Sequence, residues 1–161
     1  MKNKMTKEEF KIDSNNMFYL VAAVYMDYKT RGKTCPYENL LEQVDTYKMN
    51  GTLFNPKIHK IDDFMVDAYR IYDKFSEVED KIGEVLDMSN LGKFFGLDEK
   101  KIRKELQIIS KTFEDLMINC DFEGVEIRGI QKNFLKDIMK NAVEEENYEF
   151  CGILKTKINN I

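Results

Sequence analysis

Residues 102–120, IRKELQIISKTFEDLMINC, decide the fold class of this 161-residue chain. Apolar side chains recur there at alternating intervals of four and three residues, at Ile102, Leu106, Ile109, Phe113, Leu116 and Cys120. This spacing places one apolar stripe along an α-helix. Such a helix is stable in water only when another surface covers its stripe.

Residues 62–85, DDFMVDAYRIYDKFSEVEDKIGEV, follow the same rule. Their apolar positions also step by fours and threes, at Phe64, Ala68, Ile71, Phe75, Val78, Ile82 and Val85. Each stripe can cover the other, or the first can pair with a second copy of the chain. The short connection between the two stripes favours packing within one chain.

The rest of the chain also favours helices. Residues 17–26, MFYLVAAVYM, are apolar all round and predict a central helix that is capped by Ser14 or Asn15 and ends at Arg31-Gly32-Lys33. A second helix begins near Pro36 and ends at Asn50-Gly51. Residues 52–60 predict an extended linker with a half-exposed His59. We therefore predict an all-α protein, a helical bundle with a C-terminal antiparallel helical hairpin.

Composition and charge narrow the function classes. The net charge is −4, and only 4 of the 25 basic residues are arginines, which disfavours coating of nucleic acid. The longest apolar run is about half of the ~20 residues that a membrane-spanning helix needs. The polar, acidic start of the chain does not resemble a secretory signal, so we expect a cytoplasmic location.

No residue pattern predicts catalysis. The chain has one histidine and none of the glycine-rich phosphate loops or metalloprotease spacings, so we expect no enzyme activity, no catalytic residue and no cofactor. Cys35, Cys120, Cys151 and His59 have the stoichiometry of a zinc site. No two of them have the close spacing typical of zinc ligands, so packing as reduced thiols is favoured and no metal is expected.

A glycine-containing stretch suggests the domain organisation. Residues 121–130, DFEGVEIRGI, carry two glycines and predict a linker between a bundle at 1–120 and a hairpin at 131–161. The hairpin's two helices meet in a turn near residues 145–148. An apolar stripe on each helix needs more cover than a hairpin alone supplies.

Residues 135–158, LKDIMKNAVEEENYEFCGILKTKI, resemble the UVR motif, the helical hairpin of excinuclease subunits B and C and of related adaptor proteins. The family's positions are occupied here, without a gap, by Leu135, Met139, Ala142, Asn147-Tyr148-Glu149, Cys151-Gly152, Leu154-Lys155 and Ile158. Lys155 replaces the usual arginine, Thr156 the usual aspartate and Glu146 the usual apolar turn residue. The remainder of the chain carries no such resemblance.

The resemblance implies a protein-docking module without catalytic residues, because hairpins of this family mate with helices of other proteins or with a second hairpin. We expect outward docking with partial packing on the bundle, since both faces of the hairpin carry apolar groups. The predicted partner-binding residues are Leu135, Met139, Ala142, Tyr148, Phe150, Ile153, Leu154 and Ile158.

Two other functions remain open. Residues 89–109 have spacings close to those of a helix-turn-helix, which would make the chain a DNA-binding regulator through Lys100, Lys101, Arg103 and Lys104. A long helix capped by Asp98, with these charges in ion pairs, is the favoured interpretation. The third function is a structural subunit that self-assembles through its helical stripes. Abundant lysine, asparagine and isoleucine hint at an AT-rich genome such as a phage's.

Overall fold

The computed structural model describes residues 9–79 and 99–161 and confirms the predicted all-α fold in them. None of the described helices combines the length and the apolar character that a bilayer span requires. The helices are α1 (Ser14–Thr30), α2 (Glu38–Met49), α3 (Asp62–Glu79), α4 (Glu99–Asn119), α5 (Val125–Glu144) and α6 (Tyr148–Asn160).

Helix α1 lies at the centre of the bundle, as its uniformly apolar sequence predicts. It contacts α2, α3 and α4, and Met17, Leu20, Val21 and Val24 are buried. The expected cap is wrong: Asp13 caps the helix, and its Oδ1 accepts hydrogen bonds from the amides of Asn15 (2.8 Å) and Asn16 (3.3 Å). Ser14 is buried instead, and its hydroxyl donates to the carbonyl of Thr52.

Glycines end the first two helices where the sequence predicts. Gly32 and Gly51 have φ values of 67° and 66°, in the left-handed region that favours glycine. After α1, the amide of Lys33 donates to the carbonyl of Tyr28 over 3.0 Å, and Thr52 donates to Tyr47 over 2.8 Å after α2. These hydrogen bonds satisfy carbonyls that the last helical turn leaves without a partner.

The segment between α2 and α3 folds back on α1. Ile12 and Phe54 form an isolated antiparallel β-bridge, with hydrogen bonds of 2.9 and 2.8 Å. His59 is half-buried, as predicted, and stacks on Phe54 with ring centroids 5.0 Å apart. Its Nε2 also lies 3.4 Å from the hydroxyl of Tyr47. Burial lowers the pKa of His59, so the ring is neutral at pH 7.

The two striped helices pack on each other within the chain, which confirms the favoured arrangement. Phe64, Ala68 and Ile71 of α3 are buried, as are Ile109, Phe113, Leu116 and Cys120 at the end of α4. The stripe positions Ile82 and Val85 lie outside the described residues. In α5, Phe134 contacts both of these helices: its ring lies 5.4 Å from that of Phe113 in α4 and 5.6 Å from that of Tyr72 in α3.

The C-terminal hairpin belongs to the same core as the bundle. A single apolar cluster includes Met17 of α1 and Leu154 of α6. The predicted linker at 121–130 is too long, because α5 begins at Val125 and only residues 121–124 connect it to α4. Ile127, inside the predicted linker, is buried. The linker was predicted from the two glycines of this stretch. The burial of apolar side chains such as Ile127 outweighs the weak helix propensity of Gly129, so the helix forms across it.

A carboxylate joins the first three helices. Asp67 Oδ2 in α3 accepts hydrogen bonds from the hydroxyls of Tyr28 (2.6 Å) and Tyr37 (2.7 Å), and Arg70 donates to its Oδ1 over 2.8 Å. Tyr28 comes from α1 and Tyr37 precedes α2. The hydrogen bond to Asp67 raises the pKa of Tyr28, and burial followed by the same carboxylate raises that of Tyr37. Both hydroxyls therefore stay protonated at neutral pH.

This arrangement predicts a specific loss of stability in alkali. A tyrosine whose pKa is raised on folding stabilises the fold fully below its unfolded pKa of about 10, and less as the pH rises further. We expect the variant Tyr28→Phe/Tyr37→Phe to be less stable than the parent by about 1–3 kcal/mol at pH 7. The difference should shrink above about pH 10. Urea unfolding of both proteins across this range measures it, and a constant difference would contradict the Asp67 assignment.

Candidate functional site

The structure divides the predicted partner-binding residues of the hairpin into an inner and an outer set. Leu135, Ala142, Leu154 and Ile158 are buried, Met139 and Phe150 are half-buried, and Tyr148 and Ile153 are exposed. The expectation of an outward-facing apolar surface at Leu135, Leu154 and Ile158 is therefore corrected. Their side chains belong to the chain's own core cluster, because the bundle alone does not cover its apolar stripes.

A buried glutamine fixes the hairpin to the bundle. Gln131 is only 1% exposed, and its Nε2 donates to the carbonyls of Met117 (2.7 Å) and Cys120 (2.8 Å). Carbonyls at the C-terminus of a helix have no partner within the helix, and Met117 and Cys120 are both buried. The glutamine of α5 thus supplies hydrogen-bond donors to two carbonyls at the end of α4. Gln131 is not among the residues predicted from the sequence, although it interrupts the apolar stripe between Ile127 and Leu135.

Asp62 connects the start of α3 to the start of α5. Its Oδ2 accepts hydrogen bonds from the amides of Glu123 (2.9 Å) and Gly124 (2.6 Å). A carboxylate is favourable there because the N-terminus of a helix carries partial positive charge. A Cβ atom at Gly124 would lie 3.2 Å from the same oxygen and 3.3 Å from Ile127 Cγ2, so a larger residue would crowd the contact. We name residues 125–142 and 154–160 the hairpin root, since Asp62 and Gln131 anchor this part of the hairpin.

The turn between α5 and α6 contains a strained residue. Glu146 has a φ of 57°, the left-handed value that glycine adopts after α1 and α2. The amide of Glu146 donates to Val143 over 3.0 Å and that of Asn147 to Ala142 over 2.9 Å, which is the same helix-ending pattern. Asn147 then starts α6, since its side chain accepts a hydrogen bond from the amide of Phe150 over 3.3 Å.

Around this turn the hairpin exposes apolar and acidic side chains together. We name residues 143–153 the hairpin tip. Val143, Tyr148 and Ile153 are each more than half exposed. The tip contains no basic residue and four exposed carboxylates, those of Glu144, Glu145, Glu146 and Glu149. Exposed apolar groups in a segment with several charges of one sign are typical of a protein-binding surface.

The basic residues predicted to bind DNA lie on the first turns of α4. Lys100, Lys101 and Lys104 are exposed and Arg103 is half-buried. Residues 89–98, which would supply the first part of the helix-turn-helix, lie outside the described residues. The described part of α4 runs on to Asn119, which agrees with the long helix favoured by the sequence. DNA binding by this surface stays a prediction.

The cysteines and the histidine have separate surroundings. The Sγ atom of Cys35 accepts a hydrogen bond from the amide of Tyr37 over 3.4 Å, and that of Cys151 lies 3.9 Å from the carbonyl of Met139. Burial raises the pKa of Cys120 to about 12, so its thiol stays protonated. Over residues 9–79 and 99–161, no three histidine, cysteine or acidic side chains come together as metal ligands would.

Comparison of the chain with protein-family models, with curated proteins and with solved structures found no match. The resemblance of residues 135–158 to the UVR motif therefore stays a hypothesis that depends on the residues themselves.

The strain at Glu146 predicts a stabilising substitution. Glycine adopts a left-handed φ without the steric cost of a Cβ atom, so Glu146→Gly should raise the free energy of unfolding by about 0.5–1 kcal/mol. Glu145→Gly is a matched control, because Glu145 has a φ of −83° and the same charge. We expect the control to destabilise the fold. Urea unfolding measures both, and equal losses of stability would contradict the role of φ at Glu146.

Proposed function

We propose that the chain is a non-enzymatic adaptor that binds another protein through the hairpin tip. The observation that supports this most directly is the exposure of Val143, Tyr148 and Ile153 among four carboxylates. The same charges indicate the chemistry of the partner. It is a protein segment, most simply a helix, that carries apolar groups flanked by lysines or arginines.

The anchored root suits the tip to binding. Leu135 and Leu154 are fully buried. Gln131 joins α5 to the end of α4, and Asp62 holds Glu123 and Gly124, the residues just before α5. A surface held in place before binding loses less conformational entropy when a partner arrives. The exposed side chains of the tip can then bury apolar area, while the carboxylates steer a basic partner toward it.

The UVR resemblance adds independent support. Hairpins of that family mate with helices of other proteins, and Tyr148 lies at the family's aromatic position. Here Tyr148 is exposed beside the turn. The three free cysteines agree with a reducing compartment, and a cytoplasmic location is part of the proposal.

The experiment uses a photo-crosslinking amino acid at position 153 to identify the partner in cells, followed by titration with the purified partner. We expect Val143→Ser to weaken the measured affinity by about tenfold, because a desolvated apolar contact is lost. Val125→Ser is a matched control: Val125 is 87% exposed, but it lies at the opposite end of α5. It should leave the affinity unchanged.

Two results would refute the proposal. They are equal losses of affinity in the two serine variants, or crosslinking at position 153 that does not survive reconstitution with the purified partner. Steep salt-dependent binding of DNA that is lost on replacing Lys100, Lys101, Arg103 and Lys104 by glutamine would support the regulator instead.

A further inference from the structure

A second exposed surface has the opposite charge to the hairpin tip. We name residues 48–60, KMNGTLFNPKIHK, the basic loop. It contains no acidic residue, and its three lysines, Lys48, Lys57 and Lys60, are exposed. Each of its apolar side chains Met49, Leu53 and Ile58 is more than half exposed. The basic loop therefore has the chemistry that the hairpin tip requires of a partner.

The basic loop is a folded surface rather than a loose segment. The ring of His59, near the end of the loop, stacks on Phe54 and lies beside Tyr47, the residue just before the loop begins. The two ends of the loop are therefore held close together. Phe54 is fully buried and paired with Ile12, which fixes the loop to the start of α1. Leu53 and Ile58 are the direct neighbours of Phe54 and His59, and they are held at the surface while these rings point inward.

The end of the basic loop and the hairpin tip lie at opposite ends of α5. The basic loop ends just before Asp62, whose carboxylate holds the start of α5. Helix α5 has 20 residues and a length of about 30 Å, and the hairpin tip lies at its far end. A contact between tip and loop therefore needs two copies of the chain.

We infer that the basic loop of one copy binds the hairpin tip of a second copy, head to tail. This inference depends on the proposed function, because it names a partner for the same tip. Apolar groups would pack at the centre of the contact and the charges of opposite sign would surround them. A pair bound in this way leaves one tip and one loop unoccupied, so the assembly grows into chains or closes into a ring.

Charge reversal tests the inference in the full-length protein. The loop variant is Lys48→Glu/Lys60→Glu, since Lys57 already forms an ion pair with Glu9 at 3.3 Å. The tip variant is Glu144→Lys/Glu145→Lys, where basic residues suit the C-terminal end of α5. The control Lys132→Glu/Lys136→Glu makes the same charge change as the loop variant on exposed positions of the root. Circular dichroism verifies that all three remain folded.

Sedimentation velocity over a wide concentration range gives the average mass. We expect the parent and the control to associate, with a mass that grows past the dimer and falls at high salt. Each reversed variant alone should associate about tenfold more weakly. Mixing the two should restore pairwise association, because the unchanged basic loop of the tip variant then meets the unchanged acidic tip of the loop variant.

Three outcomes would overturn the inference. They are a monomeric parent at every concentration, equal association of the parent and both reversed variants, and a mixture that does not recover. A monomeric parent that still binds the crosslinked partner would refute only the inference and leave the proposed function standing. Co-sedimentation of a monomeric parent with anionic vesicles, lost in the loop variant, would assign the basic loop to a lipid surface instead.

Discussion

The burial of the end of α4 is the constraint on which the rest of the structure depends. The carbonyls of Met117 and Cys120 need hydrogen-bond donors from the protein, because both residues are buried. Gln131 of α5 supplies both bonds from a single side chain. Asp62 holds the start of the same helix, so two contacts fix α5 to the bundle. With 20 residues, α5 places the turn of the hairpin about 30 Å from its first turn.

The division into root and tip follows from this arrangement. At the root, Leu135, Leu154 and Ile158 complete the core, and replacing any of them by a polar residue would destabilise the whole chain. At the tip, Val143, Tyr148 and Ile153 add little to the fold, and the turn even tolerates a left-handed glutamate at 146. Residues that reduce stability and make no packing contact are expected at surfaces where a protein binds a partner.

The sequence predicts those features that are encoded locally. The periodicity of α3 and α4, the glycines after α1 and α2 and the approximate position of the hairpin turn are all readable within a few residues. Features that depend on distant residues were missed. Asp13 caps α1 in place of Ser14, because the Ser14 hydroxyl donates a hydrogen bond to the carbonyl of Thr52. Asp62 accepts hydrogen bonds from amides about sixty residues away along the chain. No local pattern indicates such partners.

The direction in which the hairpin faces could not be predicted for the same reason. An apolar stripe on α5 or α6 fits a partner protein as well as the chain's own bundle, and only the surface left uncovered by α3 and α4 decides between them. Gln131 was the one local signal, since a polar residue in an apolar stripe indicates a buried hydrogen-bond partner. The exposed tip residues carry no periodic pattern, because no packing constrains them.

The claim that the hairpin has a core-bound root and an exposed tip is tested most directly by native-state hydrogen exchange of the dilute, full-length protein. Amides of residues 135–138 and 154–158 should exchange only when the whole chain unfolds, with the free energy that urea unfolding gives. Amides of residues 144–149 should exchange faster, through local opening of the turn. Equal protection of root and tip, or exchange of the root well before global unfolding, would contradict this structure of the hairpin.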